Sequence, residues 1–471
     1  MIVLDITIVN IALPSAQRDL GISTGDRQWV VTAYTLAFGG LLLLGGRLGD
    51  LFGRKRTFMI GLLGFATASA LGGAAQSPGM LFFARALQGA FGALLAPSAL
   101  GLLSTTFTNP RERATAFGIF GAIAGGGSAI GFIAGGLLTE YLDWRWCLFV
   151  NVPIALAAAV GAYVLLHRDH IAKGKRIPLD LPGAALGCGG LLAIVYGTSE
   201  AESRGWSDWL VLGCLILGVL LEVGFVLVER RSSHPLLPLH VVRDRNRGGA
   251  ALSVGLAVIG LFGLFLFLTY YLQAVKGYSP LLTGVAFLPM TAAIIFSSTG
   301  VAARLMNRVP SRALMVPGLL LGAGGMAWLS QMKVDSPYAA MVLPGELLLG
   351  LGMGLVFMPA MSLATLGVAP RETGAAAATI NTAQQVGGSI GTALLNTIAA
   401  SATTAYLVGK DVTSKAVRDA GAVHGYSVAA LVAFGIFLLA AVVAFTMVNH
   451  RPGEAEKEAG AGSEAEVRAT A

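Results

Sequence analysis

Two ionisable residues stand inside long apolar stretches of this sequence: Asp5 in MIVLDITIVNIALP and Arg85 in RALQGAFGALLAPSA. A charge at the centre of a membrane helix costs about 2.5 to 3.5 kcal/mol on insertion scales, so such side chains pair with one another or do chemistry. Apolar surroundings favour the neutral form of a carboxyl. An acid placed there, able to take up and release a proton, suits proton coupling. Arginine does not give up its charge and needs a partner, and Asp5 is the natural one. Gln88, Gly89 and Gly92 follow Arg85 at i+3, i+4 and i+7, on one helical face. The competing expectation is structural: the pair only locks two helices together.

Glu222 and Glu346 are the other acids in apolar stretches. Glu222 lies about 10 Å of helix from Glu229, and Glu346 follows Pro344 and Gly345, where a helix can break. Both are expected near the membrane interface, with Glu346 the stronger functional candidate.

The elements that hold these residues follow from composition. Of 471 residues, 55% are hydrophobic and only 12% charged, about half the charge of a soluble domain. Uncharged runs at 28–46, 57–75, 80–104, 114–138, 146–166, 181–199, 248–272, 277–303, 313–332, 373–400 and 420–448, with 209–228 and 338–365, are long enough to cross a bilayer. The segment holding Asp5 makes a fourteenth crossing, placed first. Residues 1–14 give only about 21 Å of helix against roughly 30 Å of hydrocarbon, so the first helix is expected to be truncated and Met1 internal to a longer frame.

An even number of crossings puts both termini on one side. Assigning that side to the cytoplasm places GRKR (53–56), KGKR (173–176) and RDRNR (243–247) inside, as the positive-inside rule requires. The net charge of +7 then reflects topology and anionic lipid contact, not nucleic-acid binding. The stretch GRLGDLFGRKRTFMIG from residue 46 matches ARLMNRVPSRALMVPG from residue 303: Arg47 with Arg304, Leu48 with Leu305, Phe58 with Met315, Gly61 with Gly318. The repeat predicts an all-α integral membrane protein of two six-helix bundles, 1–166 and 247–450, around a linker region, 167–246, with two extra helices. The tail 451–471 is acidic, Gly/Ala-rich and expected to be disordered and cytoplasmic.

In the loop after the second span, Arg47, Asp50, Arg54, Lys55 and Arg56 crowd beside Gly46, Gly49 and Gly53. Asp50 can accept hydrogen bonds from an arginine or a helix N-terminus, forming a latch that makes and breaks between conformations. In the fifth span Gly127, Gly131 and Gly135 recur at i+4, with Gly136 alongside, which favours close helix packing. Asn381, Gln385, Gly388, Thr392 and Asn396 share a polar face expected to look into a cavity or onto a neighbouring helix. Asn10 and Gln88 are further cavity-lining candidates. Cys147, Cys188 and Cys214 have no metal-ligand spacing, and the six histidines do not cluster. There is no phosphate-binding GxxxxGK[ST] loop, so no metal, cofactor, ATP-driven step or enzyme activity is expected.

These motifs together resemble the fourteen-helix drug:proton antiporter branch of the major facilitator superfamily. LDITIVNIALP (4–14) resembles its first-helix motif, GRLGDLFGRKR (46–56) its loop motif, RALQGAFGALLAPSA (85–99) its fourth-helix motif, and WRWCLFVNVP (144–153) the opening of helix six. The resemblance implies a cell-membrane transporter, working as a monomer, that exports small amphipathic compounds against protons by alternating access. It implies proton coupling for Asp5 and Arg85, the latch for Gly46, Asp50, Gly53 and Arg54, and packing and gating for Gly127, Gly131, Gly135 and Gly136. GFIAGG (131–136) departs from the helix-five motif, with Phe132 where that motif carries proline. An exporter of one endogenous metabolite, or a membrane sensor that transports nothing, are the alternatives.

Overall fold

Helix boundaries in the computed structural model, which describes residues 1–107, 110–166, 180–232, 243–306, 308–365 and 373–449, follow local signals in the chain. Ser77 caps a helix by accepting from Met80 N at 3.3 Å, with Pro78 at its first position, where the missing N–H costs nothing. Asp180, Asp208 and Asp244 cap three later helices at 2.8 to 2.9 Å in the same way. Gly21 (φ 64°) ends the first helix in the left-handed region that glycine adopts without strain.

The helices of the first half are α1 (Ile2–Leu20), α2 (Trp29–Phe52), α3 (Arg54–Gly73), α4 (Pro78–Thr106), α5 (Pro110–Tyr141), the short α6 (Trp146–Phe149) and α7 (Asn151–Leu165). A pair follows, α8 (Leu181–Arg204) and α9 (Trp209–Arg231). The second half holds α10 (Arg245–Tyr270), α11 (Pro280–Ala286), α12 (Leu288–Ile295), the short α13 (Ala303–Leu305), α14 (Arg312–Leu329), α15 (Leu343–Thr365), α16 (Thr373–Leu407) and α17 (Lys415–Met447). Among the described residues nine helical segments are long and apolar enough to cross a membrane, and there is no strand. Helices α1, α2, α3, α5 and α16, of 19 to 35 residues, stand in the same bundle outside those nine.

The first helix differs from expectation. It does not stop at Pro14 but continues to Leu20, with Pro14 inside it and Arg18 Nε donating to the Pro14 carbonyl at 3.2 Å. Proline costs a helix one hydrogen bond, and packing against neighbouring helices offsets that loss in membrane proteins. The helix thus outlasts the stretch 1–14 expected of it: α1 has 19 residues, with Asp5 in its first turn.

Glycines permit two close helix approaches. A Cβ on Gly61 of α3 would press on the Leu95 side chain of α4 at 2.9 Å, and one on Gly318 of α14 would meet the Gly352 carbonyl of α15 at 2.7 Å. Each glycine sits where a side chain would hold two helices apart. Outward faces are apolar: Leu212, Ile216, Val219, Leu220 and Val223 of α9 are all exposed, a surface suited to lipid. The sequences 167–179, 233–242 and 450–471, holding parts of the linker and the acidic tail, lie outside the described residues.

Candidate functional site

Asp5 is wholly buried where α1 meets α3, α4 and α7. Its Oδ2 takes a hydrogen bond from Arg85 Nη1 at 2.5 Å, and the two form a salt bridge with 0% and 1% of their side chains exposed. Its Oδ1 accepts from Gln88 Nε2 at 3.1 Å and from Asn151 Nδ2 at 2.8 Å. Every one of these contacts donates to Asp5.

Helical spacing explains the cluster. Arg85 and Gln88, three residues apart on α4, present both side chains to α1, and Arg85 Nη1 also donates to Gln88 Oε1 at 2.9 Å. Gln88 Nε2 reaches on to Ser69 Oγ of α3 at 2.7 Å. Arg85 Nε donates to the Val30 carbonyl of α2 at 2.9 Å, and its guanidinium lies 4.5 Å from the Tyr34 ring centroid. The glycines of this stripe turn toward α2, where a Cβ on Gly89 would overlap the Tyr34 carbonyl. The Tyr34 hydroxyl and Asn151 Oδ1 are buried without a hydrogen-bond partner among the described residues.

Gln88, expected on a cavity wall, belongs to this network. Asn151 and Ser69 were not singled out from the sequence; Asn151 stood within WRWCLFVNVP, but no spacing tied it to Asp5.

The polar face of α16 meets a helix of the other half. Ser389 Oγ donates to Thr35 Oγ1 of α2 at 2.8 Å, and Arg27 Nε donates to Asn396 Oδ1 at 3.1 Å while its guanidinium lies 4.0 Å from the Tyr270 ring. A Cβ on Gly39 would lie 2.6 Å from Gln385 Cβ, and Gln385 Oε1 is buried and unpaired. Asn381 is half-buried on the same helix, whereas Asn10 is buried in α1. Gln273 Nε2 donates to the Ile11 carbonyl at 3.0 Å, and Tyr270 bonds Gln17, both across this seam.

Helix α5 lies between α1 and α11. Gly131 and Gly135 face α1, where added Cβ atoms would press on the Leu4 carbonyl at 3.0 Å and the Ile8 carbonyl at 2.9 Å, and Gly127 approaches Val3. Gly136 faces α11 of the second half, 2.5 Å from Leu281 Cα to a built Cβ. Phe132 is 1% exposed and stacks on Phe287 at 5.0 Å, with Phe265 at 5.7 Å. Helix α5 runs unbroken past this position.

In the loop motif, Gly53 (φ 92°) separates α2 from α3, and Arg54 Nη1 donates to the Gly101 carbonyl of α4 at 2.7 Å. Gly46 lies against Pro97. The side chain of Asp50 lies outside the described residues. Glu346 is wholly buried in the first turn of α15, into which the helical turn Tyr338–Val342 runs through Pro344. Among the described residues no group of three His, Cys, Asp or Glu side chains could hold a metal ion.

Residues 1–392 match the family model of the Major Facilitator Superfamily. The chain is 59% identical over 465 residues to the puromycin resistance protein pur8 of Streptomyces alboniger, covering 98% of this chain and 92% of that one. It is 39% identical over 404 residues to the cephamycin export protein CmcT of Amycolatopsis lactamdurans, covering 86% and 83%. The Streptomyces glaucescens tetracenomycin C resistance and export protein is likewise 39% identical, over 85% and 74%. An auto inhibited POT family peptide transporter shares the fold with a TM-score of 0.63 at 17% identity, covering 96% and 98%. The chain belongs to the major facilitator superfamily and is a multi-pass membrane transporter, not an enzyme.

Proposed function

We propose that this chain exports amphipathic antibiotics or drug-like compounds across the cytoplasmic membrane in exchange for protons, working as a monomer with both termini in the cytoplasm. The observation that carries the reading is the wholly buried Asp5–Arg85–Gln88–Asn151 network. It gives an ionisable carboxyl three donors from two other helices, so a proton on Asp5 alters the fit of α1 to α4 and α7 together. Relatives named for puromycin, cephamycin and tetracenomycin C resistance or export support a substrate of that chemical class.

The two bundles, 1–166 and 247–450, rock about the seam of α2 with α16 and α5 with α11. With the N-terminus inside, the Arg27–Asn396, Gln273–Ile11 and Phe132–Phe287 contacts lie on the outer side and hold it shut. Gly46, Asp50, Gly53 and Arg54 form the latch on the opposite side, where Arg54 already grips α4. Gly131 and Gly135 let α1 slide on α5, carrying Asp5 with it.

Susceptibility to puromycin in an efflux-deficient host tests this directly. The wild-type chain should raise the tolerated concentration, and Asp5→Asn at equal expression should return it to the host level. Proteoliposomes should accumulate puromycin only under an imposed pH gradient. Equal resistance from the wild-type and Asp5→Asn chains refutes coupling through Asp5; no resistance to puromycin or the other two compounds refutes export of this class.

A further inference from the structure

A second buried acid has no role in the network around Asp5. Glu346, on the first turn of α15, is 0% exposed and its Oε1 has no hydrogen-bond partner among the described residues. An isolated carboxylate in apolar surroundings is expensive, and such a group stands neutral when no cation pairs with it.

The ionisable groups on the elements packed around it are few. Tyr338 precedes it on the same rod, and its hydroxyl lies 3.4 Å from Glu346 Oε2. Tyr278 precedes α11, and Lys333 and Asp335 lie in the turn after α14. Tyr270 bonds Gln17, and Tyr271 donates to the Lys333 carbonyl at 2.8 Å, so neither serves the acid. Arg304 and Arg312 sit at the far ends of their segments. Glu346 forms no ion pair among the described residues.

Tyr338 links this acid to the seam. Its hydroxyl donates to the Ala286 carbonyl at 2.7 Å, a shorter and better contact than the one with Glu346. Ala286 ends α11, the helix of the second half that leans on α5: a Cβ on Gly284 would overlap the Phe132 carbonyl, and Glu140 accepts from Leu281 N at 3.0 Å. A continuous path therefore runs from Glu346 through Tyr338 and α11 to α5.

We propose that Glu346 is a second proton-binding site, and that its charge decides which acceptor the Tyr338 hydroxyl serves. The neutral acid leaves Tyr338 on Ala286 and keeps α11 seated against α5. When the Glu346 O–H bond breaks, its proton passes to water and the carboxylate accepts the hydrogen bond of the Tyr338 hydroxyl, whose O–H stays intact, because a charged acceptor forms the stronger hydrogen bond. Tyr338 then lets go of Ala286 and α11 is freed from α5. The assignment deepens the proton-driven exporter reading and rests on it for its purpose, though not for its test.

The test is infrared difference spectroscopy of the full chain in lipid nanodiscs across a pH titration, comparing wild type with E346Q and Y338F. The wild-type minus E346Q spectrum should contain a protonated-carboxyl stretch at neutral pH that disappears on alkalinisation. In Y338F, which keeps the acid, that stretch should persist at a shifted frequency. A difference spectrum with no protonated carboxyl at neutral pH, or one that never titrates, overturns the proposal. So does a Y338F spectrum identical to wild type, and this arm remains readable if E346Q does not fold. Puromycin uptake driven by a pH gradient is measured on the same preparations. Its absence in wild type defeats the exporter reading without touching the spectrum, whereas E346Q should retain uptake with its dependence on pH flattened at least threefold.

Discussion

Replacing Asp5 by asparagine keeps the shape of the side chain and removes its charge, which separates what the pair does for stability from what it does for transport. The asparagine would still offer Oδ1 to Gln88 and Asn151, but its amide would face Arg85 Nη1 across the 2.5 Å now occupied by a charged hydrogen bond. Two donors then oppose each other beside a guanidinium that is 1% exposed. Removing one partner of a buried pair costs about 3 to 5 kcal/mol. The Val30 carbonyl, Gln88 Oε1 and the Tyr34 ring still hold Arg85, so the loss should fall near the lower end, about 3 kcal/mol. That is roughly a hundredfold in the folding equilibrium.

Thermal unfolding in detergent, followed by a thiol-reactive dye, reads this through Cys147, which is 1% exposed in the fold. Asp5→Asn should expose the thiol at a clearly lower temperature. Asp5→Asn combined with Arg85→Gln leaves no uncompensated charge and should recover most of the stability while remaining unable to drive transport. A single variant that melts with the wild type, or a double variant no better than the single one, refutes the reasoning.

Asn151→Leu removes a donor to Asp5 and buries apolar bulk against the carboxylate; it should lower proton-driven puromycin uptake by tenfold or more with expression unchanged, measured in proteoliposomes. Gly89→Val places a side chain on the Tyr34 backbone and should abolish assembly of α4 on α2, seen as loss of the folded peak in size-exclusion chromatography. Phe132→Ala removes the stack on Phe287 and should cost about 3 to 5 kcal/mol at most; the expected readout is faster labelling of a cysteine placed at the seam. Arg27→Met deletes the bond to Asn396 and the contact with the Tyr270 ring, and should shift the same labelling in the same direction.

The pairing of Asp5 with Arg85 was legible because each is costly alone in an apolar segment and few other charges were at hand. Its supports were not. Asn151 lies 146 positions from Asp5, and helical periodicity carries no information across that distance. The polar face of α16 was readable as a face, but its partner, α2, is set by how the halves meet. Pro14 and Pro344 were read as breaks, and in both places the helix runs on, since neighbouring helices outweigh one lost backbone bond. The aligned glycines of the repeat were a weak sequence signal that packing explains: each sits where a side chain would hold two helices apart.

Helix α8 touches both halves at once. Cys188 Sγ donates to the Gly40 carbonyl of α2 at 3.1 Å, Tyr196 lies 6.4 Å from Trp29, and the Thr198 carbonyl accepts from Thr397 of α16 at 3.0 Å. The pair of extra helices is thus a shutter drawn over one flank of the α2–α16 contact. On that side the exposed apolar face of α9, with Leu212, Ile216 and Leu220, stands outermost.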